Sequence, residues 1–202
     1  MPQQDQKPSD RYRTLAGRAE FRQKIERSDF LGIAFPVAAE DAFFIELNAI
    51  AKRLFDATHH CWAFRLFQDG RSRSSDAGEP SGTAGRQILS AIEGAELFDV
   101  GGIVVRWFGG VRLGAGGLSR AYRQTAAETL QRADVIDRYL YDRLRVIVPF
   151  DRLSDAYRLV DPPAVLLVEE RFDERNEFAF DVRRSKRDEF LRTLAERRLT
   201  LQ

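Results

Sequence analysis

The chain has 202 residues, 44% of them apolar and 31% charged, a globular balance rather than that of a disordered segment. Lys plus Arg number 32 against 31 Asp plus Glu, a net charge of +1, which excludes a whole-molecule basic field of the kind that grips nucleic acid indiscriminately. A single cysteine, Cys61, and two histidines, His59 and His60, rule out an intramolecular disulfide and a Cys-rich zinc cluster.

No apolar run approaches the roughly 20 residues needed to span a bilayer. The polar start of the chain lacks the apolar stretch of a signal peptide. A cytoplasmic protein is therefore expected, with no membrane association, no metal and no cofactor, and with residues 1–15 as a disordered lead-in. A strand is predicted over 28–37, closed by Pro36. Phe43, Leu47, Ile50, Ala51 and Leu54 then recur at helical spacing, which predicts a helix over 40–55. The aromatic, alternating segment 60–67 reads as a strand. A long polar loop over 68–85 leads to a helix carrying Ile88, Ala91, Ile92 and Ala95 on one face. The β-branched run 101–107 reads as a buried strand, 109–117 as a glycine-rich loop, and 118–133 as a helix with Leu118, Tyr122, Thr125, Ala126 and Leu130 inward.

No glycine follows Gly117, and the pattern changes near Arg138. Strands are predicted over 143–148, 164–168 and 176–183, and a short one over 199–201. A helix capped by Asp151 follows the first, and a helix opened by a Ser185/Asp188 capping box follows the third. This β-α-β-β-α-β order is that of ferredoxin-like domains. The expected architecture is α+β, with one domain over 16–138 and a second over 139–202.

Three segments carry the chemistry. In the first, Asp56-Ala-Thr-His-His-Cys-Trp-Ala, strand alternation puts His59 and Cys61 on one face and His60 and Trp62 on the other. The second, Ser75-Asp-Ala-Gly-Glu-Pro-Ser-Gly-Thr-Ala-Gly85, holds Asp76 and Glu79, which could manage protons or a hard cation, and Ser81 and Thr83, which could meet a phosphate at a helix start. Turn chemistry alone also explains that composition. The third, Arg106-Trp-Phe-Gly-Gly-Val-Arg-Leu-Gly-Ala-Gly-Gly-Leu, places Gly109, Gly110, Gly114, Gly116 and Gly117 between a strand and a helix, flanked by Arg106, Arg112 and Arg120. Backbone amides at such a helix start suit an anion, although the spacing matches neither a P-loop nor a dinucleotide fingerprint. A tight turn requiring positive φ is the structural alternative.

Together with Ser119-Arg-Ala-Tyr122, these segments resemble the YigZ/IMPACT family, over most of 20–130. The resemblance implies a first domain like the second domain of ribosomal protein S5, with helices on one side of a mixed sheet. It also implies a ferredoxin-like second domain similar to the last domain of elongation factor G. Eukaryotic members of the family regulate translation through a kinase-activating partner, which they reach partly through an additional domain that has no counterpart among the segments read here. The expectation drawn is a non-enzymatic RNA- or ribosome-associated protein, or one with a protein partner in translation control. Its surface would combine Arg73, Arg86, Arg106, Arg112 and Arg120 with the glycine-loop amides, and Trp107 or Phe108 would stack on a base. The alternative is an enzyme for a small phosphorylated or nucleotide-like substrate, for which Glu79, His60 and Arg106 should converge in a closed cleft. A protein-interaction module is the third reading.

Overall fold

The computed structural model describes residues 10–202. The chain forms two compact units, Tyr12–Asp137 and Arg138–Gln202, the latter including Asp10 and Arg11. The disordered lead-in expected over 1–15 is corrected at its far end, where β1 (Arg11–Leu15) pairs with β7 (Val135–Tyr139) as a two-stranded ribbon. Residues 1–9 of that lead-in lie outside the described residues.

The first unit is built on a five-stranded sheet. In chain order its strands are β2 (Ala19–Ile25), β3 (Ser28–Pro36), β4 (His59–Arg65), β5 (Ser72–Ser75) and β6 (Val100–Trp107), arranged β2-β3-β6-β4-β5. Every neighbouring pair is antiparallel, so the sheet is not the mixed one the resemblance implied. Helix α1 (Glu40–Arg53) lies on one face, where Phe43 and Ile50 pack with Leu31, Ile33, Phe35, Phe64, Ile103 and Val105. Helices α2 (Gly85–Gly94) and α3 (Gly114–Gln131) cover the other face, where Ile88, Ile92, Leu118, Tyr122 and Leu130 pack with Phe30, Ala34, Cys61, Ala63 and Val104. Helices on both faces correct the expectation of helices on one side only. The physical reason is that β3 and β6 carry apolar residues on both faces, as strands buried on both sides do. Gly32 allows α3 to sit directly on the sheet, since a Cβ there would come within 2.0 Å of Thr129 Oγ1.

Helices α2 and α3 run parallel. Their C-terminal ends share a cleft of about 590 Å³ lined by Gly94, Ala95, Leu130 and Gln131. Their N-termini therefore sit together at the Arg106 end of β6, where Tyr122 of α3 and the loop preceding α2 meet.

The second unit has β8 (Tyr141–Val148), α4 (Leu153–Tyr157), β9 (Val165–Arg171), β10 (Asn176–Arg183), α5 (Arg187–Glu196) and β11 (Thr200–Leu201), in the antiparallel order β11-β8-β10-β9. Leu144, Val146, Phe178, Phe180 and Val182 pack with Phe190 and Leu194. The expected Ser185 capping box is absent: the Ser185 N–H donates instead to Asp10, and α5 starts without a side-chain cap. Asp151 likewise caps nothing; it falls in a 3₁₀ turn before α4. Among the described residues no helix is long and apolar enough to cross a membrane.

Candidate functional site

The strongest polar feature is a buried cluster where β3, β4, β6, α3 and the loop before α2 meet. Strand alternation builds it: His59 pairs with Arg106 across β4 and β6, and both project toward α2 and α3 with Cys61, two residues on. Arg106 is only 4% exposed. Its Nη1 donates to Glu79 Oε1 at 2.6 Å and its Nη2 to Ser28 Oγ at 3.0 Å. Tyr122 also donates to Glu79 Oε1, at 2.8 Å. His59 Nε2 lies 3.9 Å from the same oxygen, and His59 Nδ1 is 3.0 Å from Ala77 O. A carbonyl only accepts, so Nδ1 carries a proton. Burial holds the Tyr122 hydroxyl well above the ordinary phenol range.

Cys61 is fully buried, and its Sγ donates to Asp76 O at 2.9 Å. Burial pushes the thiol up to about 12, so it is core packing and not a nucleophile. Asp76 has a different job from the one its acidity suggested. Burial raises its pKa, but three backbone donors outweigh burial and hold it below the usual carboxylate value. These are the N–H groups of Gly82 at 2.8 Å, Ala84 at 2.9 Å and Gly85 at 2.8 Å. The carboxylate thus occupies the α2 N-terminus, the place a phosphate would have taken. Thr83 Oγ1 donates to Pro80 O at 2.6 Å, closing the same turn, while Ser81 stays exposed.

The structure therefore separates the expected site residues. Glu79 and Arg106 do converge, but with His59; His60 lies on the α1 face and donates from Nε2 to Leu54 O at 3.1 Å. Arg106 is not a surface contact. Arg73 is exposed but on the α1 face, paired with Glu40 and lying over Phe44. Trp107 is tied down by its Nε1 donating to Asp56 at 3.0 Å. What remains open at the α2/α3 end is Phe108, 46% exposed, and the loop after it. Gly109 is required there by contact, since a Cβ would meet the Arg27 carbonyl oxygen at 1.7 Å; Gly110 and Gly114 have positive φ. The first turn of α3, including Gly116 and Gly117, has no side-chain cap and no acidic residue.

Ser28 and Tyr122 belong to the cluster, yet sequence reasoning assigned them no polar role. Tyr122 was legible as a tyrosine in a buried helical stripe, whose hydroxyl must find a partner; Ser28 carried no such signal. Among the described residues no group of three or more His, Cys, Asp or Glu is placed to hold a metal.

The class this defines is an antiparallel α+β protein with a buried Glu–Arg–Tyr cluster below a glycine-rich helix start. Residues 26–130 match the family described as the Impact N-terminal domain. The Bacillus subtilis IMPACT family member YvyE is 31% identical over 186 residues, covering 92% of this chain and 86% of that protein. A Thermus thermophilus IMPACT family member is 43% identical over 136 residues, covering 67% of this chain and 73% of that protein. The crystal structure of a hypothetical protein superposes with a TM-score of 0.70 at 23% identity, covering 95% of this chain and 96% of that one, and so shares the fold. The chain belongs to the IMPACT family.

Proposed function

We propose that this protein binds RNA, free or on the ribosome, and acts on translation in the cytoplasm, through the surface at the N-terminal end of α3. The observation that carries the reading is how the arginines of the first unit divide. Arg18, Arg22, Arg53, Arg71, Arg73, Arg106 and Arg132 each meet a carboxylate. Arg13, Arg27, Arg86, Arg112, Arg120 and Arg123 are exposed and, among the described residues, have no side-chain ion-pair or hydrogen-bond partner. Four of these six, Arg86, Arg112, Arg120 and Arg123, lie on α2, α3 or the glycine loop. Unpaired guanidinium groups beside uncapped helix N–H groups make a local phosphate site in a chain of net charge +1. Exposed Phe108 supplies a stacking surface beside it.

The translation role follows the family resemblance of the motifs. We also read the first unit as the ribosomal-protein-S5-like domain and the second as ferredoxin-like, the latter supported by the sheet order β11-β8-β10-β9. An enzyme acting on a small phosphorylated substrate is the weaker reading, because the α2 N-terminus it would use is filled by Asp76.

The test is binding of the purified protein to labelled single-stranded RNA, structured RNA and ribosomes across a salt series, beside an Arg112→Ala/Arg120→Ala variant. Binding should weaken with salt, and the variant should show a shallower slope, by roughly 0.7 per lost single-strand phosphate contact. No binding to any of the three at low salt overturns the reading.

A further inference from the structure

The cleft between the C-terminal ends of α2 and α3 lies at the opposite end of these helices from the glycine loop. Its volume of about 590 Å³ falls within the roughly 300–1,000 Å³ of sites that hold small organic ligands. Its whole lining belongs to the first unit. Ala91, Leu97, Ala127 and Leu130 give it apolar surface.

Three charged side chains line the same cleft: Arg13 from β1, Arg123 from α3 and Glu96 just past α2. All three are exposed, and among the described residues none has a side-chain partner. Opposite charges that share a cleft without pairing are held apart, so a ligand entering it meets both signs. On its own helix Arg123 has no carboxylate one turn away, since positions 119, 120, 126 and 127 are Ser, Arg, Ala and Ala. It sits seven residues before Leu130, about 10 Å along the axis, whereas Glu96 lies at the C-terminal end of the cleft. Arg13 is at that end too, bridging Leu97.

Glu96 occupies a strained position. The N–H groups of Glu96 and Leu97 donate to Glu93 O at 2.9 Å and Ile92 O at 3.3 Å, a helix ending in which glycine usually stands where Glu96 does. Glu96 takes it at φ 56°, where a side chain costs energy. Strain that glycine would relieve points to a use for the side chain.

We infer that this cleft binds a short zwitterionic peptide with apolar side chains, about three residues long because three extended residues span about 10 Å, with its ammonium group at Glu96 and its carboxylate at Arg123. The helix C-termini carry partial negative charge, which adds to Glu96 at the ammonium end and fades within a turn, short of Arg123. The peptide's side chains cover Leu97, Ala127 and Leu130, and Arg13 donates to a peptide carbonyl.

The experiment is calorimetric titration of the full chain with trileucine, N-acetyl-trileucine and trileucine amide, the last two each lacking one terminal charge. Trileucine should bind most tightly, and each blocked peptide about tenfold more weakly. Glu96→Gly should raise the thermal unfolding midpoint and yet bind trileucine no better than N-acetyl-trileucine, so its lost selectivity is not a loss of fold. Arg123→Gln should bind trileucine and its amide equally. No binding of trileucine at millimolar concentration overturns the inference, as does equal wild-type binding of all three. Full selectivity in both variants overturns the assignment to Glu96 and Arg123. The RNA reading is tested separately, through Arg112 and Arg120.

Discussion

Removing the Glu79 side chain should cost far more than a surface carboxylate would. The side chains of Glu79 and Arg106 are 3% and 5% exposed. In Glu79→Ala the Arg106 guanidinium stays buried with Ser28 Oγ as its remaining side-chain acceptor, Nε still has no partner, and the Tyr122 hydroxyl loses its acceptor. Stripping one partner from a buried ion pair costs about 3–5 kcal/mol, a large fraction of the roughly 5–15 kcal/mol that holds a domain folded. The double variant Glu79→Leu/Arg106→Met removes both charges and refills the space, so it should recover most of that loss. Urea unfolding followed by tryptophan fluorescence reads this directly, because Trp62 and Trp107 both belong to the first unit. A Glu79→Ala cost below about 1 kcal/mol, or single-variant costs that simply add in the double, would refute the buried-pair reasoning.

In the second unit, Asp10 is buried, which raises its pKa, but the Arg183 guanidinium and the Ser185 N–H outweigh this and hold it at about 2 against an ordinary 3.8. A lowered folded-state value stabilises above the unfolded value, so its contribution, about 2 kcal/mol, is full above pH 3.8 and drains away as the pH falls toward 2. Asp10→Asn should be weaker than wild type at neutral pH, and its acid-unfolding curve by circular dichroism should lack that step; an unchanged curve counts against the Arg183 contact. Cys61 should resist a disulfide reagent at pH 8 until the protein unfolds, since its thiol is sealed and sits near 12; rapid native-state labelling would contradict the burial. Glu96 ends α2 at φ 56°, so Glu96→Gly should stabilise by roughly 1 kcal/mol in thermal unfolding, and a loss of stability would show that the side chain does something the backbone does not reveal.

Local periodicity made much of this molecule legible from sequence alone. Phe43, Leu47, Ile50 and Leu54 mark the buried stripe of α1, and the run 101–107 marks the central strand β6. Alternation also divided His59 and Cys61 from His60 and Trp62: Cys61 and Trp62 fall in different core clusters, and the two histidines meet Ala77 O and Leu54 O respectively. The β-α-β-β-α-β order of the second unit was readable in the same way.

Tertiary structure decided the rest. β5, with its sequence Ser-Arg-Ser-Ser, has no apolar alternation and is a strand only because β4 supplies its hydrogen-bond partners. β1 and β7 depend on each other across more than a hundred residues. Above all, charge type does not announce burial. Arg106 and Arg112 look alike in the sequence, yet one is locked to Glu79, 27 positions away, and the other faces water. Asp76 reads as an acid in a loop until the fold brings the α2 amides onto it. Periodicity reports which face a side chain takes on its own element. Which partner waits there is set by where distant elements meet, and that is the information a single chain's pattern does not carry.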